Sequence, residues 1–412
     1  NCCHFFRRHF ISNIDKCVSE VCIAEQEGSM FNASMQTSPG SMVNQCKFEE
    51  DEEGDSKDIF ITVDNPESHV TAIETFITYR VLTKTTRSEF DNSEYEVRRR
   101  YQDFLWLKGK LEEAHSTLIP LPEKFVVKGM VERFNGDFIE TRRKALHKFL
   151  NRIADHPILS CSEDFKVFLS AQELTTYKKQ GPGFLSRMGE TVRAVANSVR
   201  GVKNRPEEFN AIQEYVEDFS NKISSLDKVT QRIVKEQKEY LEELKEYGPT
   251  YTLWSGSEEE LAEQLKGVAG CIERCCKETE EQVGHLSDTL VPVLHEYVLC
   301  AETLKAVLRR RDNIQAEFEA KNEALATKKV DRDTVSEIDK LEDRVEWANN
   351  ALKGDWGRWQ RSMRGDLKSA FLSTAEKNVD YYEKLCNIDR FRLLRDTQIF
   401  LIPIMRLLQP SL

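Results

Sequence analysis

Three arginines and a tyrosine, Arg98, Arg99, Arg100 and Tyr101, stand together in the stretch YEVRRRYQDF. A guanidinium forks onto phosphate or carboxylate oxygens, each charge-assisted bond contributing roughly 1.5–3 kcal/mol. Along a strand the side chains alternate, so Arg98 and Arg100 share one face and Arg99 takes the other. Arg100 falls where a strand-like alternation gives way to a helical period, with the flat ring of Tyr101 beside it for the face of a sugar. Further along, Lys124 follows a stretch with two prolines, and Arg142 opens the basic run of a helical pattern. The chemistry on offer is anion recognition, and the cluster reads as one wall of a socket for a lipid phosphate.

Other chemistries lack their residues. The chain has no HExxH, no GxSxG elbow and no P-loop, and Gly181-Pro182-Gly183 is not preceded by a strand pattern. His147 and His156 have no evident catalytic partner, so no enzyme is expected. The tightest thiol group, Cys271, Cys275 and Cys276, falls on a helical pattern with only the isolated His285 near it. That spacing fits reduced thiols in a helix better than a zinc set, so neither metal nor cofactor is expected. With 70 Asp+Glu against 59 Lys+Arg, a net charge of −11, the chain is not built to coat duplex DNA, and no nucleic-acid partner is expected. No apolar run approaches the roughly 18 residues that a bilayer span needs.

The elements that position the cluster are legible as changes of period. DIFITVD, TAIETFITYRVLTKT and YEVRRRY carry alternating and β-branched patterns separated by turn-prone segments, which predicts a three-stranded antiparallel meander. Phe104, Leu105, Leu107, Lys108 and Leu111 predict a helix to about Ala114. LIPLPEKF breaks it with Pro120 and Pro122. Phe138, Ala145, Phe149 and Ile153 predict a second helix, and EDFKVFLS a shorter third. Residues 58–172 therefore read as a small α+β domain.

Residues 173–205 form a basic linker. Within it Leu185, Met188, Val192, Val195, Val199 and Val202 recur at 3-4-3-4-3 spacing, with Arg187, Arg193 and Arg200 elsewhere on the wheel. Such a basic amphipathic helix suits either an anionic lipid interface or the side of a neighbouring domain. From residue 206 the chain is helical almost throughout. Phe209, Ile212, Val216, Phe219, Ile223 and Leu226 begin one stripe, which YGPTY should stop. SGSEEEL should cap a second helix reaching about Lys329 and kinked at Pro292, and a third runs from about Ser336 to Tyr382. Helices of ~60–100 Å make a long all-α bundle suited to pairing with another chain. Arg309, Arg310, Arg311, Lys328 and Lys329 are candidates for a cationic face on it. At the ends, residues 1–57 read as a disordered acidic tail, with Met30 or Met35 as a start site. Residues 385–412 lack Lys and Glu and read as an atypical tail.

RRRYQDFLWL, the proline loop with its lysine, and FIETRRKALHKFL come in an order and spacing that resembles the PX domain of the sorting nexins. The linker and long helices resemble the three-helix BAR domain that follows it in the PX-BAR subfamily, here 206–384. The resemblance implies binding of phosphatidylinositol 3-phosphate on the cytosolic face of early or recycling endosomes. Arg100 would grip the 3-phosphate, Tyr101 stack on the inositol and Gln102 lie against the same phosphate. Lys124 would meet the 1-phosphate, although IPLPEK is one residue shorter than the family's loop, and Arg142 would hold the 4- and 5-hydroxyls. Phe125, Val126, Val127 and Met130 would dip into the interface beside the headgroup, and Leu185, Met188, Val192, Val195 and Val199 would insert as an amphipathic helix. It further implies a homodimer, or a heterodimer with a PX-BAR nexin of the sorting nexin 4 type, acting in endosomal sorting and recycling with a role in autophagy. The rival reading is a coiled-coil scaffold whose PX-like domain binds protein instead of lipid.

Overall fold

The computed structural model describes residues 57–71, 74–115, 121, 136–178, 202–327 and 332–390. These fall into two compact units, one drawn from residues 53–225 and 295–363, the other from 226–294 and 364–412.

The first unit opens with strands β1 (Ile59–Val70), β2 (Thr75–Thr85) and β3 (Glu94–Arg100), an antiparallel sheet in the order β1-β2-β3. Alternation puts Ile59, Ile61, Val63, Tyr79, Val81 and Val97 on the buried face. Between Asp64 and Glu67 the register shifts: Asp64 pairs with Arg80 but Glu67 with Thr78. Asn65, at φ 41°, supplies the left-handed residue that this bulge requires, a conformation asparagine tolerates. The extra residue reverses the parity of β1, so Glu67 and His69 join Asp64 on the outer face.

Helix α1 (Tyr101–Ala114) follows β3 without a loop, then come α2 (Gly136–Ala154), α3 (Glu163–Ser170) and the single turn α4 (Thr175–Lys178). Phe104, Leu107 and Leu111 of α1, Leu146, Phe149, Leu150 and Ile153 of α2 and Phe165, Phe168 and Leu169 of α3 close one core against the sheet. The α+β meander expected from the changes of period is what forms.

Three long helices follow: α5 (Glu207–Ser255), α6 (Ala262–Thr327) and α7 (Arg332–Arg390). Two expectations fail here. YGPTY does not stop α5, which runs through Gly248 and Pro249 to Ser255. A Cβ on Gly248 would lie 3.6 Å from the Ala269 carbonyl oxygen and 3.9 Å from Ile272, so α6 packs closely there, beside Leu241, Ile272 and Cys276. That packing offsets the lost proline hydrogen bond, and the Thr250 hydroxyl donates to the carbonyl of Glu246 (2.9 Å). SGSEEEL does not cap α6 either. Ser255 and Ser257 donate to Thr252 O (2.7 Å) and Trp254 O (3.0 Å), so these serines finish α5, and α6 begins later, at Ala262. Helix α6 continues through Pro292 without a break. Cys271, Cys275 and Cys276 are buried free thiols.

Within the first unit the sheet domain rests on the long helices. Glu296 of α6 takes both Lys148 and Arg152 of α2, the latter at 2.6 Å. His156 Nε2 lies 2.9 Å from Asp355 of α7, while its Nδ1 accepts the N–H groups of Ile158 and Leu159. Arg310 pairs with Glu112 of α1 at 3.3 Å. Arg311 is 2% exposed, bonded to Asn349, Asp312 and Gln315 and stacked on Phe209. The expected cationic face is therefore corrected at two of its members: Arg311 is a core residue and Arg310 belongs to the contact with α1, while Arg309 is exposed. Lys328 and Lys329 lie outside the described residues.

Candidate anion-binding site

The register decides where the arginines go. Arg98 lies opposite Arg80, Arg99 opposite Tyr79 and Arg100 opposite Thr78. Arg98 and Arg100 thus share the outer face with Glu74, Phe76, Thr78 and Arg80 of β2 and the residue before it.

The three fates differ. Arg98 donates to Glu67 Oε1, to Thr78 Oγ1 (3.2 Å) and to the carbonyl of Asn65 (3.2 Å), tying β3 across β2 to the bulge. Arg99 points inward and is 1% exposed. It donates to the carbonyls of Phe168 (2.7 and 2.9 Å), Ala171 and Gln172 (3.4 Å), which closes the C-terminal end of α3. Burial lowers its pKa to about 10, against a smaller opposing pull from Asp103. Arg100 is half exposed at the strand end and caps α1: its N–H donates to Asp103 Oδ2 at 2.6 Å. Its guanidinium lies 3.3 Å from the Phe76 ring centroid and donates to Glu74 Oε1 at 2.6 Å.

Tyr101 is the first residue of α1. Arg142, nearly two turns into α2, lies 4.7 Å from its ring and 4.3 Å from that of Phe138. Burial raises the pKa of Tyr79, opposed by the charge of Arg142 and a hydrogen bond to it. Three elements therefore deliver Arg100, Tyr101 and Arg142 to one end of the sheet, where the N-terminus of α1 adds the positive end of its dipole. Gln102 follows them, exposed in the first turn of α1. Lys124, with Phe125, Val126, Val127 and Met130, lies outside the described residues, as do Leu185, Met188, Val192, Val195 and Val199.

Glu74 and Phe76 were missed in the sequence. The parity of β2 would have placed both on the outer face with Arg100, but their nearness to it depends on the strand register, which alternation alone leaves free.

Comparison with known proteins agrees with this architecture. The PX domain family matches residues 87–172, and the family described as Vps5 C terminal like matches 185–364. Sorting nexin-7 of Mus musculus is 67% identical over 86% of this chain and 92% of its own length, and that of Homo sapiens 66% over the same shares. Sorting nexin-30 of Homo sapiens is 49% identical over 87% of this chain and 82% of its own. Among solved structures, the cryo-EM structure of the SNX-BAR Mvp1 tetramer aligns with 80% of this chain and 98% of its own at a TM-score of 0.53 and 16% identity, a likeness of fold. A PX domain followed by a BAR-like helical region implies phosphoinositide binding and dimerisation. The chain belongs to the sorting nexins, peripheral membrane proteins of endosomal trafficking, and has their PX-BAR architecture.

Proposed function

We propose that this nexin recognises phosphatidylinositol 3-phosphate through the end of the β3–α1 junction and acts, without catalysis, in sorting and recycling at early endosomes. The observation that carries the reading is the meeting of Tyr101 and Arg142 beside Arg100. A phosphomonoester needs a forked cation, an inositol ring needs a flat face, and vicinal hydroxyls need a second donor. In this reading Arg100 grips the 3-phosphate, Gln102 lies against it, Tyr101 stacks on the ring, Arg142 holds the 4- and 5-hydroxyls and Lys124 meets the 1-phosphate. A dimer, with itself or with a nexin of the sorting nexin 4 type, multiplies two weak headgroup contacts, and the linker residues Leu185 to Val199 add an apolar one. A role in autophagy belongs to the same proposal.

The rival is a domain that binds protein and ignores lipid. The pairing of Arg100 with Glu74 favours it, since a guanidinium satisfied by a carboxylate has less to offer a phosphate. A structure of the protein with soluble inositol 1,3-bisphosphate separates the two. The lipid reading predicts Arg100 turned from Glu74 and forked onto the 3-phosphate at about 2.8 Å. An empty site with Arg100 still on Glu74 would contradict the lipid reading and leave the rival standing.

A further inference from the structure

We infer that Glu74 is an internal competitor for Arg100, a tethered carboxylate that occupies the phosphate position and sets the affinity of the site. The inference rests on the lipid reading above and concerns what that site must give up before it binds.

Glu74 does not meet Arg100 by accident of a loose side chain. Its backbone is tied to Thr71 three ways: Thr71 N donates to Glu74 O (3.0 Å), the Thr71 hydroxyl donates to the same oxygen (2.8 Å), and Glu74 N donates to that hydroxyl (3.0 Å). These bonds fix the backbone of Glu74, from which its carboxylate reaches Arg100. Phe76, two residues on along the same face, supports the guanidinium from beneath at 3.3 Å, and His69 stacks on Phe76 at 5.2 Å. The arrangement holds Arg100 at the strand end with a carboxylate already bonded to one arm of its guanidinium. Glu67 does something different on the same hairpin: it pairs with Arg98 and leaves Arg100 alone.

A ligand anion must displace a carboxylate held at high effective concentration, so its apparent affinity is the intrinsic affinity multiplied by the fraction of Arg100 that is free. The side chains of Arg100 and Glu74 are 41% and 56% exposed, so water and salt weaken their attraction. Exposed pairs of this kind correspond to an equilibrium constant of order one to four, which divides the affinity by about two- to fivefold. A single headgroup contact is kept weak, and lasting attachment is left to the several contacts of a dimer.

The test titrates the full-length chain with soluble inositol 1,3-bisphosphate and with phosphatidylcholine vesicles carrying phosphatidylinositol 3-phosphate. Glu74→Gln should tighten both by about two- to fivefold, while Glu67→Gln, which removes an equal charge from the same hairpin, should change neither. On an Arg100→Ala background the gain from Glu74→Gln should vanish. A gain with vesicles alone, or an equal gain from Glu67→Gln, would reduce the effect to surface charge and overturn the inference. So would wild type that binds both ligands and is unchanged by Glu74→Gln, although the lipid reading would then stand. If neither wild type nor Glu74→Gln bound either ligand, the lipid reading would fail and take the inference with it.

Discussion

Three consecutive arginines do three jobs, and the difference lies in what each faces. Arg99 is the sharpest case, because it buries a guanidinium with carbonyl oxygens instead of a carboxylate as partners. Arg99→Met would keep most of the volume but strand the carbonyls at the end of α3, several charge-assisted bonds of ~1.5–3 kcal/mol each. We expect it to lower stability by roughly 3 kcal/mol or more, read as the denaturant midpoint of the full chain, with Arg100→Ala nearly neutral in the same assay. Equal losses from the two would contradict the assignment. The alternation of β3 announced that Arg99 faces away from its neighbours. It did not announce burial, because an inward arginine is tolerated only where another element brings acceptors, and the α3 carbonyls are some seventy residues away in the chain. Glu74 was hidden for the same reason.

At the scale of elements, the joint between β1 and α2 is sensitive to protonation. His147 Nδ1 accepts the N–H of Val63 at 3.2 Å, so the ring must be unprotonated at that nitrogen. Burial, with the charges of Arg143 and Lys57, lowers its pKa below the ordinary histidine value. The unfolded chain therefore binds the proton more readily, and the stabilisation from this bond is fully present above about pH 6.5 and is lost as the pH falls through the lower folded value. Thermal melts of the full chain across that range should show wild type losing stability on acidification, by about the 1 kcal/mol of one hydrogen bond, and His147→Asn losing less. Identical slopes would remove His147 from the account. The elements themselves were largely legible, since period two and period 3.6 mark the strands and helices wherever one face is buried. What misled was local chemistry. Gly248-Pro249 is a strong break by propensity, yet tertiary packing against Ala269 and Ile272 carries the helix through it. The serines of SGSEEEL had two helix ends to serve, and only the structure shows that they serve the earlier one.

At the scale of the molecule, none of the described helices is long and apolar enough to cross a membrane. The PX fold is joined to the long helices by Glu296 of α6 and Asp355 of α7, so the end of the sheet that carries Arg100 is tied to that part of the helices. This level was legible only through the resemblance carried by RRRYQDFLWL and FIETRRKALHKFL, because no composition or period specifies which domains sit side by side. The placing of Arg310 and Arg311 at internal contacts was not legible, since a helical wheel drawn for α6 alone cannot see α1 or Phe209. The most direct measurement of the central claim is flotation of the full chain with phosphatidylcholine vesicles containing either phosphatidylinositol 3-phosphate or unphosphorylated phosphatidylinositol, for wild type and Arg100→Ala. The account predicts that wild type floats with the phosphorylated lipid alone and that Arg100→Ala weakens this about tenfold or more, the loss of one to two charge-assisted bonds. Wild type that floated equally with both lipids, or an Arg100→Ala chain that floated as well as wild type, would contradict it.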